Sequence, residues 1–98
     1  MSYADYVMIF KALSDETRLR IVEMLLSGEL CACKILESFH ITQPTLSYHM
    51  KILCDSGLVT GYRDGAWMRY SLSEEKFEAI KIMLDHLSIP KDDECLDK

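Results

Sequence analysis

The apolar pattern of this chain changes period at Leu58, and that change limits the fold more than any other feature. Upstream, apolar residues recur at helical spacing; from Leu58 to Tyr62 and from Ala66 to Leu72 they alternate, as strand residues do. Arg63-Asp64-Gly65 joins the two alternating runs, and Asp-Gly in that position is a strong hairpin signal. After Ser73, which suits a helix cap, helical spacing returns with Phe77, Ile80, Leu84 and Leu87 on one stripe, ending before Pro90. The pattern predicts a mainly α chain with one β-hairpin.

Four helices are predicted before the hairpin. The first runs from about Tyr3 to Ala12, with Tyr3, Val7 and Phe10 on one face. Ser14 caps the second, where Asp15 and Glu16 suit the positive end of the helix dipole, Leu19, Val22 and Leu26 form a stripe, and Gly28 ends it. A short third helix spans about Cys31 to Ser38. Thr42 caps a fourth, in which Pro44 falls in the first turn, Leu46, Met50 and Leu53 face inward, and Gly57 terminates. Its other side leaves Gln43, Thr45, Ser47, Tyr48 and Lys51 to solvent or a partner.

Two short helices joined by a tight turn and followed by a hairpin make a winged helix-turn-helix, whose second helix enters the DNA major groove. The fold expected is therefore five helices plus a wing in one domain over residues 1–90, with an acidic tail at 91–98. Gln43, Pro44, Thr45, Ser47, Tyr48, His49 and Lys51 on the fourth helix, with Arg63 and Arg69 on the wing, are the candidate DNA contacts. Side chains of these types read base edges or hold phosphates, yet many solvated helix faces carry them too. Arg69 has a second reading as the partner of an acid, and His49 as a packing residue. Trp67 and Tyr70 read as packing between wing and body.

A net charge of −5 argues against nucleic acid, because phosphates demand Lys and Arg. The imbalance is local. Residues 71–98 carry eight acids against four bases, whereas 1–70 carry eight against seven. No apolar run approaches the roughly 20 residues needed to span a bilayer, and the N-terminus lacks the features of a signal peptide, so a cytoplasmic, membrane-free location is expected.

In a reducing compartment the four cysteines, Cys31, Cys33, Cys54 and Cys95, are expected as thiols. Cys31 and Cys33 read either as small core residues or as a soft-metal chelate; thiolates select thiophilic ions, not calcium or magnesium. On a regular helix these positions project to different sides, so joint ligation predicts distortion of the third helix and, through it, of the recognition helix. Cys54 reads as structural and Cys95 as an exposed thiol, while His40 and His49 are further possible ligands.

The runs from Leu13 to Ile21 and Thr42 to Lys51, then Gly57-Leu58-Val59 and Arg63 to Leu72, resemble the successive signatures of the ArsR-SmtB family of metalloregulatory repressors over nearly the whole chain. The resemblance implies a homodimer, joined through helices one and five, that leaves its operator on binding metal. Glu29-Leu30-Cys31-Ala32-Cys33 looks like the arsenic-repressor branch, whose inducer is trivalent arsenic or antimony held by thiolates. Where that branch commonly has a third cysteine, this chain has Leu36, so a third ligand would come from Cys54, Cys95 or outside. Asp85 and His86 lack the later partners of the family's zinc-type site on the last helix. No nucleophile motif, phosphate loop or acid–base pair points to an enzyme. The competing classes are a metal-responsive repressor, for metalloids or another soft ion, a thiol redox-responsive repressor, and a winged helix that binds protein and not DNA.

Overall fold

The computed structural model describes residues 1–88, so Pro90, Cys95 and the proposed tail lie outside the described residues. Its first helix, α1 (Tyr3–Leu13), opens on a capping box: Asp5 N–H donates to Ser2 Oγ at 3.2 Å, and Ser2 N–H to Asp5 Oδ2 at 2.9 Å. Ile9 and Ala12 are its buried residues. The face of Tyr3, Val7 and Phe10 read from the spacing is not the buried one, since Tyr3 and Val7 stay exposed and Phe10 is only half-buried.

The next helix, α2 (Glu16–Leu25), is capped by Asp15 and not by Ser14. Ser14 is engaged in closing α1, its hydroxyl donating to the Phe10 carbonyl at 2.7 Å. Asp15 is extended and accepts from Arg18 N–H at 3.0 Å, a bond that holds its carboxyl below the ordinary Asp range. Ile21, Val22 and Leu25 are buried, whereas Leu19 and Leu26 of the expected stripe are exposed. Both helices carry two overlapping apolar stripes, and the core of the single chain takes one of each.

A two-residue strand that the periodicity did not signal, β1 (Leu30–Cys31), precedes α3 (Ala32–Leu36), which is shorter than the expected helix. The recognition helix, α4 (Gln43–Asp55), follows its Thr42 cap as predicted and buries Leu46, Met50 and Leu53. The wing is β2 (Val59–Asp64) and β3 (Trp67–Leu72), antiparallel, with Asp64 opposite Trp67. The turn is thus Gly65-Ala66, and Arg63 and Asp64, expected in it, are strand residues; Gly65 takes the positive φ of 69° that the turn requires. The hairpin grows into a three-stranded sheet of order β1-β3-β2. Last comes α5 (Glu74–Ser88), where Ser73 Oγ accepts from Lys76 N–H at 3.3 Å.

Ile9, Ile21, Ile35, Leu46 and Leu53 of the helices meet Leu58 and Val59 at the base of the wing, all within 2% exposure. Each such side chain contributes about 1.5–3 kcal/mol, and together they set α4 and the wing side by side. Among the described residues no helix is long and apolar enough to cross a membrane.

Candidate nucleic-acid interface and thiol pair

Thr42 fixes the start of α4 twice, accepting from Thr45 N–H at 3.3 Å and donating its hydroxyl to Thr45 Oγ1 at 3.0 Å. Gln43, Pro44, Thr45, Ser47, Tyr48 and Lys51 are all exposed. Lys51 reaches Asp55 at 3.1 Å, one turn on, an exposed pair worth little and readily exchanged for a phosphate. Gln43 and Ser47 also line a narrow cleft of about 80 Å³ with Arg63, Trp67 and Met68 of the wing, so the first turns of α4 and the hairpin form one surface.

Two of the residues singled out in the sequence follow their second readings. His49 faces inward, its side chain 13% exposed, with Nδ1 3.0 Å from Arg18 Nη1 and 3.9 Å from Asp15 Oδ2. A guanidinium can only donate, so Nδ1 is the acceptor, and His49 ties α4 to the start of α2 instead of facing a partner. Arg18 completes that tie by donating Nε–H to the Ala12 carbonyl at 2.7 Å. Arg69 is held by two acids, with Nε 2.9 Å from Asp64 Oδ2 and Nη1 3.5 Å from Glu29 Oε2. Among the described residues Arg63 makes no ion pair; Nη1 only grazes the Ala66 carbonyl at 3.5 Å.

The two cysteines do converge, and without a distorted helix. Cys31 is the N-cap of α3, at φ −71° and ψ 143°, and its Sγ accepts from Cys33 N–H at 3.2 Å. Because an N-cap residue lies outside the helix, the divergence expected of positions two apart on a helix does not apply. The Cα atoms are 5.2 Å apart and the two Sγ atoms face one another in direct contact. The pair opens on a shallow depression of about 350 Å³ shared with Glu29, Lys34, Glu37 and Arg69.

Nothing among the described residues supplies a third sulfur. Leu36 packs against the core. Cys54 is half-buried in α4 apart from the depression, and burial, then Asp55, pushes its thiol above the ordinary range. Among the described residues no group of three His, Cys, Asp or Glu side chains is arranged to hold a metal ion, and His40 is exposed elsewhere. The contacts of Glu29 with the wing and the strand β1 were not legible in the sequence, since they depend on partners far along the chain and two strand residues carry no readable period.

The family model for bacterial regulatory proteins of the arsR family matches residues 15–60. An arsenical resistance operon repressor of Staphylococcus xylosus is 48% identical over 85 residues, covering 87% of this chain and 82% of that protein. Among solved structures, an ArsR family transcriptional regulator superposes with a TM-score of 0.81 at 24% identity, over 89% of this chain and 90% of that one. Reduced HlyU from Vibrio cholerae N16961 superposes with a TM-score of 0.71 at 31% identity, over 90% and 93%.

Proposed function

Given that the chain belongs to the arsR family of bacterial regulatory proteins, we propose that it is a homodimeric operator-binding repressor of arsenic resistance, released when trivalent arsenic or antimony joins Cys31 to Cys33. Repression of an arsenic-resistance operon follows the curated relative, and the family's members are repressors and not enzymes. One observation carries the finer part of the reading. Cys31 and Cys33 bring their sulfur atoms together at the N-terminus of the helix that leads into α4.

Arsenous acid carries three exchangeable hydroxyls. Each thiol that replaces one forms an S–As bond and releases a water, so the pair takes two positions and the third hydroxyl either stays or is exchanged by a small thiol or a distant cysteine. Soft thiolates suit that ion, and carboxylates do not. On the DNA side Gln43, Pro44, Thr45, Ser47 and Tyr48 meet base edges and sugar–phosphate, Lys51 and Arg63 meet phosphates, and Arg69 shapes the wing that presents Arg63.

The test is a gel shift on the DNA upstream of the chain's own coding sequence. Arsenite should release the protein, and Cys31→Ser or Cys33→Ser should bind DNA as before yet resist release, because serine keeps the size and loses the soft donor. Leu36→Cys should raise arsenite affinity. If both serine variants respond to arsenite normally, the sensing site is elsewhere. A second reading, a thiol redox repressor, is favoured by the Sγ contact itself, and one structural neighbour was solved in a form described as reduced. Release by peroxide and not by arsenite would select it.

A further inference from the structure

Cys31 belongs to two structures at once. It caps α3, and as a β1 residue it is the ladder partner of Arg69 in β3, one step from the Leu30–Tyr70 pair. Arg69 is the centre of a side-chain network that leaves the thiol pair for the tip of the wing. Its Nε donates to Asp64, the last residue before the turn, at 2.9 Å, and its Nη1 to Glu29 at 3.5 Å. Glu29 Oε2 also accepts from the Tyr62 hydroxyl at 3.0 Å, and Tyr62 is the register partner of Arg69 on β2. One carboxylate just ahead of β1 therefore grips both strands of the wing. The grip is electrostatic. The Asp64 hydrogen bond holds the Arg69 guanidinium more firmly protonated, and the Glu29 hydrogen bond keeps the Tyr62 phenol protonated above its ordinary range. On the other side of the thiol pair, Ala32 lines the cleft between α4 and the wing.

We propose that Glu29 is a positioning residue that couples the Cys31–Cys33 pair to the wing: bridging the sulfurs shifts β1, and the Glu29–Arg69–Asp64 chain turns the hairpin against α4. The proposal rests on the reading of the thiol pair as the receptor of the signal, and adds the element that the signal moves. Exposed ion pairs add little stability one by one, so the network acts through geometry: a bias of severalfold between two wing positions is enough to change operator affinity.

Trp67, the single tryptophan of the chain, lies in β3 opposite Asp64 and reports on the wing directly. The full-length protein, reduced, is treated with saturating sodium arsenite or with diamide, which takes up the two protons and two electrons released as the S–S bond forms. Trp67 emission and the ratio of operator affinities with and without each reagent are read together. In the unaltered protein both reagents should change the emission, and Cys33→Ser should abolish the change. Glu29→Gln and Asp64→Asn should each cut the emission change by at least half and shrink the release ratio about threefold to tenfold, while circular dichroism shows an intact fold. The proposal is overturned if both variants keep the full emission change and release ratio, or if neither reagent moves Trp67 in the unaltered protein. A protein that ignores arsenite but answers diamide refutes the arsenic reading alone and leaves the coupling to be judged on the diamide arm.

Discussion

Arg63 and Arg69 stand on the same hairpin in opposite electrostatic surroundings, and the difference turns one sequence reading into two. Both flank the turn and both were candidates to meet a phosphate, with acid pairing the second reading for Arg69. Arg69 is neutralised between Glu29 and Asp64, whereas Arg63 makes no ion pair among the described residues. Replacing Arg63 with Ala should therefore weaken binding to most DNA sequences alike and lower the slope of log affinity against log salt by about 1 per subunit, as expected for one lost phosphate contact. Gln43→Ala should instead change the ranking among operator variants by about 1–3 kcal/mol at one base pair. Affinities measured from 50 to 200 mM salt on a small operator set separate the two effects. An unchanged slope for Arg63→Ala would remove it from the interface. Of the two readings of His49, DNA contact or packing, its hydrogen bond with Arg18 favours packing.

Among the elements, the wing is the one with the least room for error. Gly61 lies opposite Tyr70, and a Cβ added there would come within 2.7 Å of the Tyr70 ring. That ring is 8% exposed and belongs to the core, so it has little space in which to retreat. Gly61→Ala should destabilise the chain by about 1–3 kcal/mol, the usual cost of overpacking, read as a lower denaturation midpoint in urea. A midpoint within roughly 0.3 M of the parent would mean that the ring moves freely. The same strand explains why β1 escaped notice. Cys31 joins the sheet through partners nearly forty positions away, which no local period can encode.

For the whole molecule, the uncovered apolar residues are the outstanding fact. Tyr3, Val7 and Met8 on α1, with Ile82, Leu84 and Leu87 on α5, remain 48–79% exposed in the single chain. The proposed homodimer would cover these faces and bring two recognition helices to successive major grooves. Leu84→Glu should then shift the protein from dimer to monomer in analytical ultracentrifugation and reduce operator affinity at least about tenfold, given that one half-site loses its partner; an unaltered dimer mass would place the interface elsewhere. The sequence by itself determined the order of helices and hairpin, the Thr42 cap, the inner face of α4 and the family, because each depends on residues within a few positions of one another. Tertiary structure decided which of two apolar stripes α1 and α2 bury, that Cys31 leaves the helix to pair with Arg69 and meet Cys33, and which charged residues of the wing are already satisfied. Those outcomes depend on what distant segments bring into contact, and burial, strand pairing and ion pairing are settled only where the chain has met itself.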